Sequence, residues 1–138
     1  MSWLYWALLS ALFAGLTAVL AKVGVKDIDS NLATAIRTTV ILIFAWSIAL
    51  FRNTQPLGTV TSRTWLFLVL SGLATGASWL CYFRALQLGK VSNVAPVDKL
   101  SVVVAMVLAV VILRESLTWQ QWVGGALIVS GTLVLAWV

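Results

Sequence analysis

Five long runs of mainly apolar residues leave this chain few possible folds. A helix needs roughly 20 such residues to cross the hydrocarbon core of a membrane, and there it satisfies its own backbone hydrogen-bonding groups. The sequence therefore predicts an all-α integral membrane protein that forms a single domain of five transmembrane helices. The predicted helices cover residues 4–25, 32–51, 65–86, 94–113 and 119–138.

The composition indicates that lipid, rather than water, surrounds most of this chain. Of its 138 residues, 62% are hydrophobic and 9% are charged, whereas roughly 25% of the residues of a soluble domain are charged. A soluble globule of this size would lack the polar side chains needed to cover its surface. Disorder is excluded as well, because it requires low hydrophobicity and high net charge. The lipid bilayer is therefore the expected partner.

The charged and metal-binding residue types exclude several classes of function. The net charge is +5, but the nine Lys and Arg are scattered singly, which argues against nucleic acid as a partner. There is no His, and Cys81 is the single cysteine, so zinc sites, iron–sulfur clusters and His-based catalysis are excluded. No paired carboxylates and no nucleophile–base pair are visible. We therefore predict no catalytic residues, no metal and no cofactor.

The first apolar run differs from a secretory signal peptide. Leu4–Ala21 is 18 residues long and no basic residue precedes it, whereas a signal peptide has a basic start and a shorter apolar region. We expect a retained helix and a multi-pass protein of the inner or plasma membrane.

Capping residues stand near two of the predicted helix starts. Ser30 or Asn31 could cap the second helix, and Ser92 or Asn93 the fourth, by accepting bonds from free N–H groups. Pro96 would then lie in the first turn of the fourth helix, where its missing N–H costs little.

Polar or small residues form a narrow stripe on each of the first four predicted helices. On the third helix, four of them lie within about 60° of one another at 100° per residue. Such a stripe suits a water-filled substrate path and also close helix packing, and both interpretations stay open. The candidate substrate-path residues are Ser10, Thr17, Thr34, Thr38, Ser71, Thr75, Ser78, Trp79, Tyr82 and Ser101.

Charged residues inside the predicted helices lie near ends that share one side of the membrane. We call the side that holds the N-terminus side A and the opposite side, which the first-to-second and third-to-fourth connectors face, side B. Arg37 and Asp98 lie roughly 6–8 Å inside their helices, where a short carboxylate needs a partner. We predict a breakable side-B gate of Arg37, Asp98 and Lys99; a structural cap or ion pair at Asp98 is the alternative. Lys22 and Arg84 can extend to the interface.

The fifth predicted helix carries no charge and has Gly124 and Gly131 on one face, a pattern that favours association between helices. Three Lys or Arg flank the helices on each side of the membrane, so the positive-inside rule gives little orientation. We therefore predict an antiparallel homodimer of dual topology with these glycines at the contact; a fixed orientation with side B inside is the alternative. The counted residues are Lys22, Lys26, Lys90, Arg52, Arg63 and Arg114.

Four segments from residue 82 onward carry a family resemblance. The segments are Tyr82–Leu86, Val94–Pro96, Leu113–Glu115 and the glycine-rich run Trp122–Gly131. In this order they resemble the EamA domain of the drug/metabolite transporter superfamily, whose five-helix unit occurs twice, in inverted orientation, in larger members. The resemblance implies that helices one to four bound a substrate path, that the fifth mediates contact between units, and that Glu115 ends the fourth helix.

Two functions from different classes follow from these observations. The first is a transporter that moves a small-molecule substrate by alternating access, with basic residues near the gate favouring an anionic or zwitterionic substrate. The second is a non-transporting membrane subunit that scaffolds a larger complex. A hydrated cavity of a few hundred Å³ would favour the transporter, and stripes fully packed by neighbouring helices would favour the subunit.

Overall fold

The computed structural model describes residues 3–52, 54 and 56–137, and five helices account for most of them. This confirms the predicted all-α architecture, and no strand occurs in the described ranges. A 3₁₀ turn, Leu57–Thr59, lies in the longest connector. The helices are α1 Trp3–Gly24, α2 Ser30–Phe51, α3 Ser62–Leu88, α4 Val91–Leu113 and α5 Trp119–Ala136.

Four of these helices are long and apolar enough to cross a membrane. Helices α1 to α4 contain 22, 22, 27 and 23 residues, and most of their large apolar side chains are exposed on the surface of the chain. An apolar surface of this extent requires lipid or another chain against it. Helix α5 has 18 residues and carries Gln120 and Gln121 in its first turn, so it spans about 27 Å against a hydrocarbon core of about 30 Å. The chain is a multi-pass membrane protein.

The start of α2 differs from the sequence prediction. The carboxylate of Asp29 accepts hydrogen bonds from the backbone N–H groups of Asn31 (2.9 Å) and Leu32 (3.1 Å). Asp29 is therefore the N-cap, and the prediction of Ser30 or Asn31 is wrong. A carboxylate at this position also interacts favourably with the positive end of the helix dipole.

Helix α4 begins earlier than predicted. Its first residue is Val91, and the preceding Lys90 has an extended backbone and no capping side-chain bond. The prediction of Ser92 or Asn93 as the cap is wrong, because both lie inside the helix. The earlier start also places Pro96 in the helix interior rather than in the first turn.

Pro96 is followed by a break in α4. Proline lacks a backbone N–H, and its ring crowds the carbonyl four residues earlier, so a helix kinks or loosens near it. The α-helical segments are Val91–Asp98 and Leu100–Leu108. Between them the N–H of Lys99 bonds to the carbonyl of Pro96, three residues back rather than four (3.0 Å). The predicted gate residues Asp98 and Lys99 therefore lie at an irregular point of α4.

The other end of α4 is a π-helical turn, Ala109–Leu113, closed by Arg114 in the left-handed region (φ 56°). The backbone N–H groups of Arg114 and Glu115 both donate to the carbonyl of Ala109. A left-handed residue commonly closes a helix in this way, at roughly 1–2 kcal/mol for a residue other than glycine. Glu115 thus takes part in ending the helix through its backbone.

By its internal contacts the chain divides into two compact units. One contains α4, α5 and most of α1; the other, Leu20–Gln87, contains the end of α1 together with α2 and α3. In the first unit, Gly125 of α5 is buried, and a Cβ there would lie 3.4 Å from the side chain of Met106. The hydroxyl of buried Thr132 donates to the carbonyl of Pro96 (3.3 Å). Small residues therefore let α5 pack closely on α4.

Candidate functional site

The guanidinium of Arg37 lies on two aromatic rings of α3. Its Cζ is 4.4 Å from the centre of the Trp79 ring and 5.3 Å from that of Phe83. Trp79 and Phe83 are four residues apart, so they share one face of the helix. Tyr82, beside Phe83, is close enough to interact electrostatically with Arg37. The structure therefore brings three of the predicted site residues, Arg37, Trp79 and Tyr82, into one cluster.

The aromatic rings reduce the free-energy cost of placing the charge of Arg37 inside the membrane. A charged side chain within a membrane helix is costly, and a cation–π contact contributes about 0.5–2 kcal/mol, depending on how far it is desolvated. The rings thus offset part of the cost of placing the charge there. A guanidinium also has five N–H donors, and within the described residues no hydrogen bond or ion pair engages those of Arg37.

A second cluster joins the ends of α1 and α3, which both face side B in the predicted topology. The ammonium of Lys22 donates to the carbonyl of Leu86. In the opposite direction, Nε2 of Gln87 donates to the carbonyls of Val25 (3.2 Å) and Ile28 (2.7 Å). The C-terminal end of α3 thus receives a donor from α1, and the segment that follows α1 receives two from α3. We call this group the side-B clamp.

Two residues whose carbonyls accept bonds in the side-B clamp are fully buried. Val25 and Leu86 have no exposed surface. The guanidinium of Arg84 donates a hydrogen bond to Oε1 of Gln87 (3.0 Å). Side-chain donors are needed here because the last carbonyls of a helix have no partner within it. The side chain of Lys22 is used between helices, which corrects the expectation that it extends to the interface. Gln87 is absent from the sequence-based candidates, because nothing in its local pattern reveals a neighbouring helix end.

Two of the three predicted gate residues, Asp98 and Lys99, form an ion pair with each other. Nζ of Lys99 lies 3.4 Å from a carboxylate oxygen of Asp98, and their side chains are 56% and 35% exposed. Ion pairs with such exposure contribute about 0–1 kcal/mol. Arg37 belongs to the other unit of the chain, and its grouping with Asp98 and Lys99 stays a prediction.

Several hydroxyls of the predicted stripes bond to their own helices. The hydroxyl of Thr75 donates to the carbonyl of Ser71 (2.9 Å), and that of Thr38 donates to Thr34 (2.7 Å). Thr34 is buried and donates to the carbonyl of Ser30 (2.8 Å). A hydroxyl satisfied in this way needs neither water nor a neighbouring helix. These stripes are therefore weaker indicators of a cavity than the sequence alone suggests.

The remaining substrate-path candidates are distributed over both units. Ser71 and Ser78 are exposed in Leu20–Gln87. Ser10, Thr17 and Ser101 belong to the unit that contains α4 and α5, with Thr17 half-buried and the two serines exposed. That these residues line one continuous path stays a prediction.

The two predicted dimer-contact glycines remain open within the chain. A Cβ added at Gly124 or Gly131 would meet nothing within 4 Å. The neighbouring residues Gly125 and Thr132, about 100° further around α5, make the contacts with α4. The Gly124–Gly131 face is thus available to another helix, and its use in a dimer stays a prediction.

Comparison with known proteins gives a consistent result over almost the whole chain. The model of the EamA-like transporter family matches residues 1–137. An uncharacterized transporter in the cobO 3' region of Sinorhizobium sp is 56% identical over 136 residues, which cover 98% of this chain and 96% of that protein. No solved structure matches the chain.

Proposed function

The chain belongs to the EamA-like transporter family, and we propose that it carries a small metabolite across the inner or plasma membrane by alternating access. The observation that carries this proposal is the Arg37 cluster. An ionisable residue inside a membrane helix usually marks a substrate or ion pathway, and Arg37 lies about two turns inside α2. Its charge rests on aromatic rings, while its N–H donors have no acceptor among the described residues.

In this proposal the side-B clamp is the closed gate on one side of the membrane. A hydrogen bond to a charged group contributes about 1.5–3 kcal/mol and a neutral one about 0.5–1.5 kcal/mol. One Lys22 bond and two Gln87 bonds therefore stabilise the closed state by a few kcal/mol, the range in which two conformations of one protein remain accessible. In the other unit, Asp98 and Lys99 at the break in α4 stay proposed gate residues.

The proposed assembly is an antiparallel homodimer of dual topology. The balance of Lys and Arg around the helices supports it, because neither side has the excess of positive charge that would keep it in the cytoplasm. The open face of Gly124 and Gly131 supports it as well, since small residues allow close helix approach. C-terminal reporters active in one compartment only test it: signal from both sides is expected, and signal from a single side rejects dual topology.

A second candidate function is that of a scaffolding membrane subunit. The hydroxyls that bond to their own helices favour it, because such helices can pack without a hydrated path between them. In that case the Arg37 cluster would hold α2 against α3 and would bind no solute.

Uptake into proteoliposomes distinguishes the two functions. The purified chain is reconstituted and tested with amino acids, nucleosides, organic anions and organic cations, beside empty liposomes. The transporter predicts saturable uptake of at least one class that falls on Arg37→Gln. Absence of uptake and of binding across the whole panel rejects the transporter.

A further inference from the structure

We infer that Arg37 is the anion-binding residue of the substrate site and that Trp79 and Phe83 position it, so that the substrate carries a carboxylate or phosphate group; this inference rests on the proposed transport function. Trp79 is then a positioning residue beneath the cation, although the sequence places it among the candidate substrate-path residues.

The first step is that Arg37 is held in place. Phe83 is 3% exposed, Trp79 is half-buried, and the guanidinium is within 4.4–5.3 Å of both ring centres. An arginine that only escapes the hydrocarbon extends its side chain towards the headgroups. Arg37 instead contacts the neighbouring helix α3, at a point roughly 10 Å from the first residue of its own helix.

The second step is that the rings leave the donors of Arg37 available. An aromatic face attracts the cation electrostatically but offers no carbonyl or carboxylate oxygen to its fork of N–H groups. That fork matches the two oxygens of a carboxylate or phosphate. The acidic residues of the same unit are Asp27 and Asp29; Asp29 caps α2, and neither forms an ion pair with Arg37 among the described residues.

The third step is that the same arrangement disfavours a cationic substrate. Aromatic rings bind organic cations through their faces, but the guanidinium of Arg37 already lies over the rings of Trp79 and Phe83. A second positive charge would meet direct repulsion from the guanidinium. The cluster is thus suited to an anionic substrate, because its aromatic rings already interact with Arg37.

The test compares acids with neutral analogues of matched size. The probes are phenylacetate with phenylacetamide, hexanoate with hexanamide, and glycerol phosphate with glycerol, each measured for binding and uptake in phosphatidylcholine proteoliposomes. We expect at least one acid to bind tenfold or more tightly than its neutral analogue. Arg37→Gln should abolish that preference, and Arg37→Lys should retain part of it.

Arg63→Gln is the matched control. Arg63 also lies over a ring of α3, 5.9 Å from the centre of Phe67, but it is exposed and stands near the start of the helix. Its removal takes away the same charge and should leave the acid preference unchanged. An equal loss in both variants would mean that net charge, rather than the Arg37 cluster, selects anions, and would overturn the inference.

The positioning role of the rings has its own readout. Trp79→Leu should raise KM for the preferred acid five- to tenfold with a smaller change in kcat, while Trp79→Phe, which keeps an aromatic face, should recover most of the loss. Equal effects of Leu and Phe, or a loss in kcat alone, would contradict this role. The melting temperature of the Trp79→Leu protein in detergent, compared with that of the unmodified protein, monitors its folding.

Two further outcomes separate failure of this inference from failure of transport. If neutral or cationic solutes are taken up and Arg37→Gln has no effect, transport stands and the anion site is rejected; absence of all uptake and binding rejects both. A lipid phosphate is the other source of the same chemistry. Retention of phosphatidylglycerol that depends on Arg37, with no preference for any acid, would assign the cluster to lipid and overturn the inference.

Discussion

The side-B clamp and the α4–α5 contact hold helices together by opposite means. In the clamp, long polar side chains of Lys22 and Gln87 reach the carbonyls of another helix end. Between α4 and α5, the small residues Gly125 and Thr132 bring the helices close, against Met106 and Pro96. Long side chains can release and re-form their bonds with rotamer changes, whereas close packing does not deform continuously. If the proposed transport function holds, we expect the side-B clamp to open and the α4–α5 contact to remain fixed.

The largest effect is expected from overpacking the fixed contact. Gly125→Leu adds a side chain where a Cβ already lies 3.4 Å from Met106, and overpacking typically costs about 1–3 kcal/mol. The melting temperature in detergent should therefore fall clearly. Gly124→Leu is the matched control, because nothing lies within 4 Å of its Cβ position; it should leave the monomer stable and weaken the proposed dimer. Equal destabilisation by the two variants would contradict the asymmetry.

The next effect tests whether the clamp opens. Gln87→Leu removes two hydrogen bonds to Val25 and Ile28, a loss of about 1–3 kcal/mol that corresponds to a shift of roughly five- to 140-fold in a two-state ratio. Labelling of a cysteine at Val25, in a Cys81→Ser background, by a membrane-impermeant maleimide should increase by that factor. Arg84→Gln should give a smaller increase, because the Arg84 guanidinium donates to the Gln87 side chain rather than to the carbonyls of Val25 and Ile28. Unchanged labelling would show that the clamp is static.

A smaller effect is expected from one hydroxyl in the fixed contact. Thr132→Val keeps the shape of the side chain and removes the hydrogen bond to the Pro96 carbonyl, which should lower stability by about 0.5–1.5 kcal/mol. The control is Ser130→Ala, since Ser130 is exposed and bonds only to Ala126 of its own helix. If thermal unfolding gives the same change for both variants, the interhelical bond does not stabilise the contact.

The smallest effect on stability is expected at the break in α4. Asp98→Asn removes an exposed ion pair with Lys99, a change of about 0–1 kcal/mol. Thermal unfolding should therefore be almost unchanged, while uptake should fall if Asp98 belongs to the gate. Lys99→Gln removes the other partner of the same ion pair and should change stability as little as Asp98→Asn does. A large loss of stability in Asp98→Asn alone would assign the carboxylate a structural role.

Some features of the site were predictable because they depend on residues close together in the chain. The four-residue spacing of Trp79 and Phe83 places both on one face of α3, and both contact Arg37. The presence of an intramembrane cation at position 37 is equally plain from the apolar residues around it. Which side chains would contact that cation was not predictable, because the contact depends on how α2 is rotated and at what depth it lies against α3.

The same limit applies to helix ends and helix faces. Three adjacent residues, Asp29, Ser30 and Asn31, can all cap a helix, and which of them does so depends on where the first turn forms. Gly124 and Gly125 are neighbours in sequence, yet 100° of rotation decides which of them packs against Met106.

The sequence by itself determined the number of helices and their approximate positions, because the length of an apolar run is compared directly with the thickness of a bilayer. It also indicated the family, through short segments in the last third of the chain. The tertiary structure alone decided the partners of Arg37, the reciprocal bonds of Lys22 and Gln87, and the face by which α5 packs on α4. Those contacts join residues far apart in the chain. Small rotations of a helix decide which of them form, and such rotations do not alter the apolar pattern of the sequence.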